Sequence, residues 1–167
     1  MMKRIAAVLL AALLLASAVP VSAKSAATSD RIPDGAYGLW EVGCLKTSSV
    51  LYKGNISTAA DQRIVDREDS ACWRTYGKGH AIYDHAGSEA GGGVWNVEDM
   101  TVGGIATLTT RKGTDYYLCT QISLCTQTKY VMRYDGVTYP CKKGDVLCVS
   151  CADEDKQVYV AYYKKIA

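Results

Sequence analysis

The chain of 167 residues contains no phenylalanine, three prolines and two histidines. So few prolines exclude a proline-rich linker, and with 15 glycines and no triplet repeat they exclude a collagen-like chain. An apolar share of 49% excludes intrinsic disorder. No long apolar run follows residue 23, so nothing beyond it is apolar enough to span a bilayer. Charge of one sign is also lacking. The formal net charge of +2 comes from Lys3 and Arg4; without them the basic residues equal the 17 acidic ones. A neutral surface gives no electrostatic reason to expect nucleic acid or an acidic membrane as partner.

Residues 1–23 read as a secretory signal peptide. Lys3 and Arg4 form its positive start, Ile5 to Val19 its apolar centre, and Val21-Ser22-Ala23 its small-residue cleavage site. The run is short for a membrane anchor and ends at Pro20; retained, it would tether the chain to a membrane. No cysteine follows it, which excludes a lipoprotein signal. The expected location is therefore secreted, extracellular or cell-surface. Residues 24–34, rich in Ser, Ala and Thr, read as a flexible tether. Residues 35–167 form the folded domain.

That domain reads as all-β. Tyr, Val, Thr, Ile and Trp recur in short runs punctuated by Gly, Asn and Asp. Strands are expected at Tyr37–Val42, Val50–Tyr52, Arg63–Val65, Cys72–Tyr76, Ala81–Asp84, Gly104–Thr110, Asp115–Gln121, Lys129–Arg133, Val146–Ser150 and Gln157–Tyr163. Lys112-Gly113-Thr114, Asp135-Gly136 and Lys143-Gly144-Asp145 mark turns, and Gly87–Gly93 a surface loop. No amphipathic helix longer than two turns is visible. Many short strands at this spacing indicate a small closed or nearly closed barrel. Trp40, Trp73 and Trp95 read as core or rim aromatics.

Seven cysteines follow the leader: Cys44, Cys72, Cys119, Cys125, Cys141, Cys148 and Cys151. In an oxidising compartment most are expected to pair, and an odd count leaves at least one thiol unpaired. Cys148 and Cys151 form a CxxC, which suggests a thiol–disulfide redox protein. Its flanks are strand-like, however. Three positions along a strand turn the two side chains to opposite faces, about 10 Å apart, too far for a disulfide. Zinc lacks a second close pair, and the two histidines lie far upstream. A third reading splits the pair: Cys148 is structural, and Cys151, at the strand end, is a free nucleophile.

A thiolate nucleophile needs a base or imidazolium partner. His85 closes Ile82-Tyr83-Asp84-His85 beside the glycine-rich loop, where functional groups concentrate. His80 sits in a polar turn. Asp84 is adjacent to His85, and neighbouring strand residues face opposite ways. Asp153-Glu154-Asp155 reads as a solvated turn.

Leu147-Cys148-Val149-Ser150-Cys151 resembles the Thr-Leu-x-Thr-Cys nucleophile motif of the sortases, cell-surface cysteine transpeptidases. Ile82–His85 resembles the strand that ends in their catalytic histidine. Arg63–Arg67 with Asp69-Ser70-Ala71 resembles the segment before that strand in small clostridial-type sortase-like proteins. The resemblance spans about residues 36 to 163. It implies an eight-stranded β-barrel, monomeric and without cofactor or metal. Cys151 would be the nucleophile, His85 the proton donor and Ser150 a supporting residue. The partners implied are a peptide or protein substrate at the cell surface and a cell-wall amine acceptor. Sortases carry an Arg on the strand after the cysteine; here no Arg follows Cys151, and Lys156 offers a point charge without the planar fork. The alternatives are a surface or binding module that keeps the barrel without catalysis, and the Cys148/Cys151 redox protein.

Overall fold

The computed structural model describes residues 31–45, 47–54, 58–67, 69–85, 97–129, 131–152 and 156–167. The leader, most of the tether, the glycine-rich loop, Trp95 and Asp153–Asp155 lie outside the described residues. Ten strands run in the order β1 (Gly38–Val42), β2 (Thr47–Lys53), β3 (Ser70–Tyr76), β4 (Gly79–Asp84), β5 (Ile105–Thr110), β6 (Gly113–Thr128), β7 (Val131–Tyr134), β8 (Val137–Thr138), β9 (Val146–Cys151) and β10 (Gln157–Lys165). Among the described residues one helix, α1 (Thr58–Val65), lies between β2 and β3, and a single 3-10 turn spans Val97–Asp99.

The sheet order is β10-β9-β4-β3-β2-β1-β5-β6-β7-β8, and β10 also pairs with β6. That pairing closes eight strands into a barrel, leaving the β7–β8 hairpin outside it. A closed barrel has no exposed edges to template aggregation. Most pairs are antiparallel; β2–β3 and β4–β9 are parallel. The β7–β8 hairpin turns at Asp135 (φ 49) and Gly136 (φ 75), the positive-φ pair that a tight two-residue hairpin demands.

Period-two alternation splits the apolar residues between two cores. Inside the barrel lie Trp40, Leu51, Ile82, Val146, Cys148, Ala161 and Tyr163. Trp40 meets the edge of Tyr163 at 5.3 Å between ring centres, with planes at 89°. Such pairs add about 0.5–1.5 kcal/mol beyond area burial. Val97 and Met100, on and just after the 3-10 turn, belong to the same core. On the outer face Leu147, Val149, Val158, Val160 and Tyr162 pack with Met132, Tyr139 and Cys141. From Val146 to Ser150 every residue of β9 is buried. The run of apolar residues there reflects a strand covered on both faces.

Three expectations need correction. Arg63–Val65 is not a strand but the last part of α1. Its two β-branched residues suggested extension, while Ala59, Ala60, Gln62 and Arg63 are better accommodated in a helix. Arg31–Asp34, at the end of the stretch read as a tether, are packed on the barrel: Ile32 is buried, Arg31 pairs with Glu41 at 3.6 Å, and Asp34 with Arg111 at 3.1 Å. The cysteines are not bridged. All seven are free thiols, five of them buried, with only Cys44 and Cys151 exposed. They are distributed among the interior core, the outer core and the wall between β3 and α1, and burial holds them as small apolar side chains.

Candidate active site

Parallel pairing sets β4 and β9 side by side with their C-terminal ends at one rim. Asp84 is opposite Ser150, the last pair in the register, and His85 and Cys151 are the residues that follow it on the two chains. Both line a groove of about 540 Å³. Its walls come from α1 (Asp61, Gln62, Val65), from β3 (Cys72, Arg74), from the end of β6 (Gln127) and from the β6–β7 turn (Lys129); its floor includes Tyr83, Val149, Ser150 and Val158.

His85 is held by the helix. Its Nε2 lies 3.0 Å from Asp66 Oδ1 and 3.0 Å from Gln62 Nε2, and the Gln62 amide donates to the same Asp66 oxygen at 2.8 Å. Gln62 and Asp66 are one helical turn apart, the spacing at which side chains meet. With Nε2–H donating to Asp66, Nδ1 is the ring nitrogen left to act as base or, in the imidazolium, as second donor. The hydrogen bond from His85, then that from Gln62, lowers the Asp66 carboxyl below the usual carboxylate range. Asp84 meets His85 through the main chain. Its Oδ1 accepts the backbone N–H of His85 at 2.8 Å, fixing the main chain where β4 ends.

The CxxC pair is split by the strand. Cys148 has no exposed surface and sits in the barrel interior, where burial pushes its thiol well up. Cys151 ends β9 exposed, on the groove. Ser150 is buried at the groove, and its hydroxyl has no hydrogen-bond partner among the described residues. Lys156, in a left-handed conformation at φ 66, is not among the lining residues. The groove cations are instead Arg74 and Lys129. Arg74 forms an ion pair with Asp61, both side chains mostly buried. Lys129 is exposed and also left-handed, at φ 54.

A second thiol shares the groove. Cys72 Sγ is 3.6 Å from Asp61 Oδ1, and burial, with the nearby Asp61 charge, pushes it up to about 12. It is therefore protonated and inert where an exposed thiol reacts. His80 stands apart from the groove: its ring packs on Trp73 at 4.4 Å, and burial lowers its pKa. Cys151, His85, Ser150 and Asp84, named from the sequence, all line this groove, as do Gln62, Arg74 and Lys129, which the sequence reading did not name; Asp66, also not named as a site residue, contacts His85 from the helix. The signal for Gln62 and Asp66 was their four-residue spacing, hidden by reading the segment as a strand.

No family model and no curated protein sequence matches the chain. Solved structures do. Streptococcus agalactiae sortase C1 in complex with MTSET superposes with a TM-score of 0.60 at 13% identity, covering 81% of this chain and 71% of that one. The pilus-related sortase C of Group B Streptococcus gives 0.62 at 14%, covering 81% and 69%. Sortase C1 from Streptococcus suis gives 0.61 at 10%, covering 85% and 78%. At such identities the likeness is one of architecture, and it reproduces the closed barrel described above: this chain has a sortase-like fold.

Proposed function

We propose that the protein is a secreted or cell-surface cysteine transpeptidase or peptidase that acts on sorting-type peptides. The observation that supports this reading is that His85 and Cys151, each following the last registered pair of the parallel strands β4 and β9, line one groove. The Cys151 thiolate attacks the scissile carbonyl carbon and forms a C–S bond. Imidazolium His85 gives its proton to the leaving amine as the C–N bond breaks. An acceptor amine, such as a cell-wall amine, then attacks the thioester and restores the thiol; water in its place gives hydrolysis. Lys129, on the groove wall, supplies positive charge toward the developing oxyanion, a task for which β10 offers no arginine. Ser150 supports the nucleophile from the strand beneath. The protein acts as a monomer after the leader is cleaved.

The test is turnover of a sorting-type reporter peptide with hydroxylamine as acceptor. Hydroxamate product that disappears in Cys151→Ala and in His85→Ala supports the transpeptidase. The absence of an arginine after Cys151 favours one competing reading, a binding module that keeps the barrel without chemistry. Saturable peptide binding without turnover, equal in wild type and Cys151→Ala, would establish that module instead.

A further inference from the structure

Across α1 from the groove lies a second cavity, of about 570 Å³. Four cations line it: Lys53 from β2, Arg67 just after α1, and Arg111 and Lys112 from the β5–β6 turn. This concentration is not a reflection of composition, since acidic and basic residues balance once the leader is set aside. Among the described residues only one of the four is ion-paired. Arg111 pairs with Asp34, and the nearby Asp115 is engaged by Lys165 at 2.8 Å. Lys53, Arg67 and Lys112 make no ion pair among the described residues.

Aromatic rings steady two of them. Lys53 Nζ lies over Tyr37 at 5.3 Å from the ring centre, and the Arg67 guanidinium over Tyr52 at 5.5 Å. A ring face attracts a cation without neutralising it. Positive charge is therefore positioned and still available to an anion. Tyr37 stacks its ring on Trp73 at 4.8 Å and carries Lys53, so its faces are already engaged. Recognition here rests on charge and on guanidinium forks rather than on apolar anchors, which disfavours a peptide side chain. Guanidinium pairs bind phosphate oxygens two at a time, and lysines add point charge. The cavity exceeds a single phosphate in size and spreads its cations over three segments of chain.

We propose that this cavity is a binding site for a phosphate-bearing polyanion, separate from the thiol chemistry. The phosphates could belong to a soluble chain or to lipid headgroups, and the experiment separates the two. Binding of tripolyphosphate is measured by calorimetry, and of phosphatidylglycerol/phosphatidylcholine vesicles by co-sedimentation, at low and physiological salt. The double variant Arg67→Gln/Lys112→Gln removes two exposed cations; Lys143→Gln/Lys164→Gln removes the same charge elsewhere on the surface.

The expected result is salt-sensitive binding that weakens about 10-fold or more in the first variant, by less than twofold in the second, and not at all in Cys151→Ala. Tripolyphosphate binding identifies a soluble phosphate chain, and binding to vesicles alone identifies headgroups; either supports the site. No binding of either probe, equal loss in both double variants, or equally tight binding of hexaglutamate overturns it. Because Cys151→Ala keeps the site, failure here leaves the transpeptidase reading standing, and the reverse also holds.

Discussion

Asp66 Oδ1 lies 3.0 Å from His85 Nε2, so a helix outside the barrel fixes an imidazole at the end of a barrel strand. That contact ties α1 to the proposed active site. Removing the carboxylate should therefore weaken chemistry without touching the nucleophile. In Asp66→Ala, alkylation of Cys151 by iodoacetamide at neutral pH is expected to slow about 10-fold, and Asp66→Asn to lie between it and wild type. His80→Ala should leave the rate unchanged. Rates equal in all four proteins would refute the relay from Asp66 through His85.

The same contact has a pH signature. Hydrogen bonding to His85 lowers the Asp66 carboxyl in the folded protein. Its stabilising effect is therefore present above the ordinary carboxylate range and is lost as pH falls through the lowered folded value. Wild-type alkylation should hold its His85 dependence down to below that range, whereas Asp66→Asn should show no such acid limb. Stopped-flow alkylation against pH compares the two.

Thiol counting separates the cysteines. Native protein should expose two thiols to Ellman's reagent, Cys44 and Cys151, and the denatured protein all seven. Cys72, in the same groove, should stay unmodified at neutral pH because its thiol is pushed up to about 12. Mass spectrometry after labelling identifies the sites. Rapid labelling of Cys72, or a Cys148–Cys151 bridge in fresh protein, would contradict the split assigned to the pair.

Arg74 and Asp61 form a mostly buried ion pair beneath the groove. Deleting one partner strands the other's charge. Arg74→Met is expected to destabilise the fold by about 3–5 kcal/mol, read as a lower urea midpoint. The double change Arg74→Met/Asp61→Leu should recover much of that loss.

Lys129 is expected to act on turnover rather than on folding, because its side chain is exposed. Lys129→Ala should lower kcat on a reporter peptide about 10-fold, leave the urea midpoint unchanged, and be partly rescued by Lys129→Arg. A change confined to KM would instead make Lys129 a substrate-binding residue.

Much of this was legible along the chain. β1, β3, β4, β5, β9 and β10 announce themselves by β-branched and aromatic runs, and the Asp135-Gly136 turn by its chemistry. Cys151 and His85 were singled out because both end predicted strands, a local property, and both line the groove. Asp66 and Gln62 were missed because Ile64 and Val65 read as extended chain, and only packing against β3 decides for helix. Lys129 was missed for another reason: nothing local tells that the β6–β7 turn swings to the groove, since that depends on β6 running long past its partner β5. The unbridged cysteines were misjudged because compartment and count say nothing of which strand faces hold the sulfurs.

The parallel alignment of β4 and β9 carries a consequence for how the protein comes into being. Parallel neighbours cannot be joined by a tight hairpin, so the intervening chain, including all of β5 to β8, must find its place around them. Contacts between positions so distant along the chain form slowly, because loop closure is costly before it is rewarded. A newly made chain therefore has Cys151 and His85 far apart. The groove that both residues line exists only once the barrel has shut, so no unfinished form presents it.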